Sequence, residues 1–261
     1  MEIIGYFSSI LIGISLGLIG GGGSILSVPI LVYLFHVEPQ LASSYSLCIV
    51  GITACIGSLK HYKLGNLEFK SAIYFAIPSV ASLLIIRKFV VPIIPKHICD
   101  IGTFSVSSNI LFMVIFAILM MAASLSMIRK TKQVLGTNPQ QYRRLFFMGI
   151  YVGCVSGFLG AGGGFLIIPA LVLFAGLPMK KAIGTSLLII FINSTIGFTG
   201  DIINGVHINY LFLGTITAIA ILGMWIGTYL STKIDGTKLK PAFGWFLLCM
   251  GIYIVLKEII L

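Results

Sequence analysis

The sequence predicts an all-α membrane protein built from two related halves, and three observations support this fold class. First, 58% of the 261 residues are hydrophobic and 9% are charged, whereas soluble domains have about 25% charged residues. Second, the mean hydropathy is +1.09, and apolar stretches long enough for transmembrane helices fill most of the chain. Third, one glycine-rich phrase occurs twice, as GLIGGGGSILSVPIL from Gly17 and as GFLGAGGGFLIIPAL from Gly157.

The repeat extends well beyond the two phrases. A shift of 140 residues superposes the glycines, the proline and the following helix without a gap. The aligned positions of the first half include Gly17, Gly20, Gly22, Gly23, Leu26, Pro29, Ala42, Ser46 and Leu47. In the same order, they correspond to Gly157, Gly160, Gly162, Gly163, Leu166, Pro169, Ala182, Ser186 and Leu187 of the second half. We therefore expect a first repeat over 1–128, a cytoplasmic linker over 129–144 and a second repeat over 145–261.

Each repeat contains three apolar spans and one segment that glycines interrupt. The spans are 41–60, 69–92, 107–128, 181–203, 208–231 and 240–258, and the interrupted segments are 4–35 and 145–175. One straight helix over an interrupted segment would be about 46 Å long, more than the hydrocarbon core of about 30 Å. Each part alone is too short to cross. The segment is therefore either one interrupted crossing or a re-entrant hairpin.

Positive charge favours the hairpin, because cytoplasmic loops carry an excess of Lys and Arg. The chain has 17 lysines and arginines. With two hairpins, all of them lie on the cytoplasmic side except four, which are Arg87, Lys88, Lys96 and Lys257. Three crossings per repeat is an odd number, so the repeats have inverted topology and both termini lie outside. The hairpin tips fall at Gly20–Ser24 and Gly160–Gly164, and we expect the apolar start of the chain to be retained.

The glycines suggest an anion site at the two tips. Helix fragments that start near Ile25 and Phe165 point their N-termini at the bilayer centre, and such an end carries about +0.5 charge with free N–H donors. The alternative is that the glycines only permit close helix packing. The candidate binding residues at the tips are Gly20, Gly21, Gly22, Gly23, Ser24, Gly160, Ala161, Gly162, Gly163 and Gly164.

Neutral polar side chains complete the predicted site. Ser46 and Thr53 share one helix face, and their repeat equivalents Ser186 and Asn193 do the same, with Thr185 adjacent. The spans hold almost no carboxylate, since Asp201 lies at an end, so a buried acidic relay for protons or Na⁺ is hard to build. The cysteines and histidines have no metal-ligand spacing, and we expect neither a metal nor a cofactor.

The two glycine–proline phrases, each followed by an A-x-x-x-S-L helix, resemble the sulfite exporter TauE/SafE family over essentially the whole chain. The resemblance implies an inner-membrane carrier of sulfite, sulfonates or related small organosulfur anions, often an exporter. Two features depart from the family pattern. Ser24 stands where the second phrase has Gly164, and the small-residue stretch GMWIG at 223–227 has SLLII at 82–86 as its counterpart.

The predicted partners of such a carrier are a small anion and the lipid bilayer. Three other functions are alternatives to a carrier of this kind. An importer of thiosulfate or a related species would use the membrane cysteines Cys48, Cys55 or Cys154. An intramembrane enzyme lacks support, because the chain has no HExxH motif and no nucleophile–base pair. Nucleic-acid binding is disfavoured, since the net charge of +10 is explained by lysines and arginines in cytoplasmic loops.

Overall fold

The computed structural model describes residues 2–90, 93, 97–101, 104–128, 139–159 and 163–259. Within these residues the chain forms ten α-helices, one π-helical turn and one β-hairpin. The helices are α1 Glu2–Ile19, α2 Gly22–Tyr33, α3 Pro39–Lys63, α4 Phe69–Ile85, α5 Ser108–Ile128, α6 Pro139–Leu159, α7 Gly164–Phe174, α8 Met179–Ile203, α9 Tyr210–Lys233 and α10 Gly236–Ile259. The π-helical turn is Ile86–Val90, and the hairpin strands are β1 His97–Ile101 and β2 Phe104–Ser107.

The predicted helical membrane fold is confirmed. Four helices of the described chain are long and apolar enough to cross a membrane, namely α3, α4 with its π-helical extension, α8 and α9. Helices α5 and α10 occupy the other two predicted spans and contain shorter apolar stretches. The sequence did not predict the π-helical turn or the antiparallel hairpin, in which His97 pairs with Ser107 and Ile101 with Phe104. Most of the predicted 129–144 linker lies outside the described residues.

The two glycine phrases break the helices where the sequence predicted. Helix α1 ends at Ile19 and α2 begins at Gly22, while α6 ends at Leu159 and α7 begins at Gly164. Gly20 has a φ of 81° and Gly163 a φ of 65°, a left-handed conformation that residues with a Cβ rarely adopt. Helix α2 has 12 residues and α7 has 11. At 1.5 Å per residue each spans only about 18 Å, too short to cross a bilayer.

The first interrupted segment folds back on itself. The rings of Tyr6 and Phe35 pack edge to face with their centroids 5.3 Å apart, so the residues after α2 return to the start of α1. Along the hairpin, a Cβ placed on Gly23 would lie 2.6 Å from the side chain of Leu16. Both ends of this segment therefore lie at the same end of the helix bundle, as a re-entrant hairpin requires.

Equivalent helices of the two halves pack against each other in opposite directions. Gly51 of α3 lies against Ser194 of α8, and further along α3 Gly57 lies against Leu187. The residue number rises on one helix as it falls on the other, so α3 and α8 are antiparallel. The same holds for α5 and α10, where Gly244 contacts Ile128 and Gly251 contacts Met121.

The halves also exchange helices. Helix α1 packs lengthwise on α9 of the other half, and α6 packs lengthwise on α4. Gly223 and Gly227 in the GMWIG stretch meet the α1 backbone at Ile10 and Ile14. In the equivalent interface the glycines lie on α6 instead, and Gly153 faces Ser79 and Ser82 of α4.

The lysines collect at one end of the bundle, where α3 and α9 end and α4 and α8 begin. This lysine end carries Lys60, Lys63, Lys70, Lys180, Lys181 and Lys233. Gly184 of α8 approaches the backbone of Asn66 there, which brings the α3–α4 turn against the start of α8. At the opposite end Lys257 lies over the ring of Tyr33, with its Nζ 3.8 Å from the ring centroid.

Substitution of Gly13 by Ala should destabilise the protein. A Cβ on Gly13 would overlap the carbonyl oxygen of Ala220 in α9, and overpacking of this kind costs about 1–3 kcal/mol. Gly214 is the matched control, since it lies on α9 with nothing within 4 Å of its Cβ position. Thermal denaturation of the two purified variants in detergent measures the difference. Equal midpoints for Gly13→Ala and Gly214→Ala would contradict this packing.

Candidate functional site

The N-terminal ends of α2 and α7 meet head to head at the two glycine breaks. A Cβ on Gly21 would overlap the backbone of Gly164, and a Cβ on Gly164 would lie 2.9 Å from Ser24 Oγ. Only glycine permits this approach of two backbones. Close packing is the alternative role of the glycines, and it explains why positions 21 and 164 are occupied by glycine.

Neither helix start has a side-chain cap. The N-cap residues are Gly21 for α2 and Gly163 for α7, which have no side chain to accept a hydrogen bond from the first N–H groups. Uncapped helix starts offer N–H donors and positive potential. Gly160, Ala161 and Gly162 lie outside the described residues, and Gly22 is described only as the first residue of α2.

The contact between the two glycine breaks, at Gly21 and Gly164, is called the glycine junction below. Two of the predicted serines lie beside it. Ser186 Oγ would be 2.9 Å from a Cβ on Gly20, and it donates a hydrogen bond to the carbonyl of Ile183. Ser46 Oγ lies 2.5 Å from Ser27 Oγ of α2, and Ser27 in turn donates to the carbonyl of Ser24. The structure thus brings Ser46, Ser24 and Ser186 around the contact of the two breaks, and all three are completely buried.

The other predicted side chains have separate partners. Thr53 donates to the carbonyl of Ile49 in its own helix, and Asn193 Nδ2 donates to Ser79 Oγ at 2.7 Å. Thr185 lies at the lysine end, where its hydroxyl accepts the backbone N–H of Glu68 at 3.0 Å. All three are buried, and the two cavities described below are lined by none of them.

Sequence reasoning missed two buried serines, Ser156 near the second break and Ser194. Within the described part of the chain, the hydroxyls of both serines are buried without a hydrogen-bond partner, as is Oδ1 of the predicted Asn193. The Cβ of Ser156 would lie 3.0 Å from a Cβ on Gly163, so its free hydroxyl is next to the start of α7. The repeat gave no signal for it, because Leu16 occupies the equivalent position.

The larger cavity, about 370 Å³, opens at the end opposite the lysines. Its walls combine apolar side chains, among them Phe112, Met113 and Phe116, with an ion pair between Arg87 and Asp201. Val28, Gly157 and Phe158 also line it, so the cavity extends from the loop at His207 to within three residues of Gly160.

A hydrogen-bonded cluster surrounds the ion pair in this cavity. Arg87 donates to Asp201 and to Ser43 Oγ, and Ser44 Oγ donates to Asp201 at 2.6 Å. The cluster joins the end of α4 to the start of α3 and the end of α8. Arg87 is 9% exposed, so its position away from the lysine end is explained by a buried carboxylate partner.

A smaller cavity, about 160 Å³, lies at the lysine end. It is lined by His61, Leu64, Asn66, Lys180, Ile183, Ser231 and Thr232. Under the 140-residue shift His61 corresponds to Asp201, and Lys180 corresponds to Gln40 of the larger cavity. The two cavities therefore lie at equivalent positions in the two halves, at opposite ends of α3 and α8.

None of the four cysteines whose side chains the structure describes lines either cavity. Cys48, Cys55 and Cys154 are half-buried and Cys249 is exposed, and none has a disulfide partner among the described residues. In the same part of the chain, no group of three or more His, Cys, Asp or Glu side chains is arranged to hold a metal ion.

The helical fold, with several helices of membrane-spanning length, defines a multi-pass membrane protein. The sulfite exporter TauE/SafE family model matches residues 6–254, and the chain belongs to this family. A probable membrane transporter protein of Xylella fastidiosa is 30% identical, over 95% of this chain and 92% of its own length. The probable membrane transporter protein YunE of Bacillus subtilis is 32% identical, over 84% of this chain and 82% of its own.

Proposed function

We propose that the protein is a secondary transporter or facilitator for a small sulfur oxyanion, such as sulfite or a sulfonate. The observation that carries this proposal is the meeting of two uncapped helix starts at Gly21 and Gly164, with buried hydroxyls around them. Helix starts bind anions through N–H donors and the helix dipole. The proposed binding residues are those of the two breaks and polar side chains on the neighbouring helices. They are Gly20, Gly21, Gly22, Gly23, Ser24, Gly160, Ala161, Gly162, Gly163 and Gly164, with Ser46, Thr53, Thr185, Ser186 and Asn193.

The halves act as inverted repeats in this proposal. Antiparallel packing of α3 on α8 and of α5 on α10 supports it, as does the exchange of α1 and α6 between halves. In transporters of this architecture the substrate binds between the repeats near the middle of the membrane. The lysine end faces the cytoplasm of an inner-membrane protein, and both termini lie outside.

Export is the expected direction. Moving one negative charge out of a cell whose interior is negative gains about 2.3 kcal/mol per 100 mV. Two described carboxylates line the larger cavity, Glu38 and Asp201. Asp201, the buried one, is paired with Arg87 and is not a free proton carrier, while Glu38 is exposed at the start of α3. An uncoupled pathway for an anion therefore leads outward, and the protein transports its substrate without chemical conversion.

Flux of a panel of anions tests this function. The full chain is reconstituted into liposomes, and efflux of radiolabelled sulfite, sulfoacetate and thiosulfate is compared with efflux from protein-free liposomes. We expect protein-dependent efflux of at least one oxyanion. Efflux at the protein-free rate for all three anions would overturn the proposal.

Replacement of Cys48, Cys55 and Cys154 by Ala distinguishes the alternative, an importer that handles sulfur species through its cysteines. Because these side chains line neither cavity, we expect the triple variant to keep flux within about twofold of wild type. Surface-normalised flux in proteoliposomes is the measurement, and a thermal melt controls for folding. Loss of thiosulfate transport in a stable triple variant would favour the importer.

A further inference from the structure

The smaller cavity contains a buried histidine without partners. His61 is 2% exposed, and both of its ring nitrogens lack a hydrogen-bond partner within the described residues. Neutral imidazole carries one N–H donor and one acceptor, and burying them unpaired costs free energy. Most buried polar groups in proteins are paired, so a missing ligand is the natural explanation for His61.

The groups facing His61 across the cavity suit an anion. Lys180 and Asn66 line the cavity together with His61. A lysine carries a cationic ammonium group, and an asparagine has an amide that can donate hydrogen bonds. Ser231 and Thr232 donate their hydroxyl protons to carbonyls of their own helix, which leaves Lys180, His61 and Asn66 as the donors. None of the described residues that line this cavity carries a carboxylate.

The larger cavity differs from the smaller one in the charge of its lining, and this difference supports an anion in the smaller cavity. At the repeat-equivalent positions the larger cavity has Asp201 in place of His61 and Gln40 in place of Lys180. There the positive charge of Arg87 is neutralised by Asp201. The smaller cavity thus keeps a net positive lining, and it lies among the lysines that raise the local concentration of anions.

We infer that the cavity formed by His61, Lys180 and Asn66 is a second binding site for a small oxyanion, a loading site at the lysine end. The inference rests on the proposed transport of an oxyanion and adds to it a site distinct from the glycine junction. A volume of about 160 Å³ accommodates a compact anion of the sulfite type. In export the anion binds here before it moves to the junction.

Histidine resonances give a local readout of this site. The chain has four histidines, so full-length protein labelled with ¹⁵N-histidine in detergent gives a small set of ring signals. His61→Phe identifies the His61 signal by its loss. We expect sulfite, and not an equal concentration of chloride, to shift that signal in a saturable manner. An unchanged His61 signal at sulfite concentrations that saturate flux would overturn the inference.

Adjacent lysines supply the matched control. Lys180 lines the cavity, while Lys181 is exposed and does not. Lys180→Met should raise the dissociation constant for sulfite, measured from the His61 signal, by about tenfold or more, since a charged hydrogen bond is lost. Lys181→Met should change it by less than about twofold. Equal weakening in both variants would show a general surface-charge effect and would contradict the site.

The outcomes for this site and for the proposed function are separable. Normal sulfite flux with an unresponsive His61 signal refutes the loading site alone. A saturable His61 shift with no flux of any sulfur anion refutes the transport function and leaves an oxyanion-binding cavity.

Discussion

Substitution of Gly22 by Val should abolish anion flux while the protein stays folded. In the proposed site the backbone at the start of α2 approaches the anion directly. A β-branched side chain there blocks that approach and restricts the backbone. We expect a loss of flux of about 100-fold or more, with a melting temperature close to that of wild type. The apolar helices that direct membrane insertion are unchanged in this variant.

Gly21→Val provides the contrast for this experiment. A Cβ on Gly21 overlaps the backbone of Gly164, so this variant should lose folded protein and flux together. Gly162→Val, in the second break, should behave like Gly22→Val if both halves contribute to the site. Surface-normalised flux measured beside thermal stability separates the two roles. Full flux in a stable Gly22→Val protein would refute the anion role of the glycines.

Removal of Asp201 should destabilise the protein more than any other single carboxylate change in the described chain. Asp201→Ala leaves Arg87 buried beside two serines without its counter-charge, and breaking a buried ion pair in this way costs about 3–5 kcal/mol. The cluster also ties together α3, α4 and α8, so its loss should open the larger cavity.

Asp235 is the matched control, because it is exposed at the position before α10, where its loss removes only a helix cap worth about 1 kcal/mol. Thermal denaturation in detergent should show a clear drop for Asp201→Ala and a much smaller one for Asp235→Ala. Asp201→Asn, which keeps the shape and one acceptor, should lie between the two. A melting temperature for Asp201→Ala within error of that for Asp235→Ala would contradict a stabilising role for the pair.

The sequence predicted the helices and their breaks well, because both depend on local composition. Apolar runs of about 20 residues mark spans, and the glycines of each phrase mark a change of backbone direction. The repeat also located α2 and α7, so the contact of Gly21 with Gly164 agrees with two breaks facing each other. The family resemblance read from the same phrases is confirmed by the match over residues 6–254.

The polar side chains around the site were harder to predict. Symmetry between the halves singled out Ser46 and Ser186 but not Ser27, Ser79 or Ser156, whose repeat equivalents are apolar or unrelated residues. The pair of Arg87 and Asp201 joins residues 114 positions apart, a contact that a single sequence does not reveal. Likewise, His61 at a span end resembles an ordinary interfacial histidine until its burial is known.

Voltage-driven sulfite efflux tests the proposed anion pathway through the paired helix breaks. Proteoliposomes loaded with radiolabelled sulfite are given an interior-negative potential with a K⁺ gradient and valinomycin. We expect efflux that accelerates as the interior becomes more negative, slows when the potential is reversed, and disappears in Gly22→Val. Efflux that ignores the potential, or that persists unchanged in Gly22→Val, would contradict an anion pathway through the paired helix breaks.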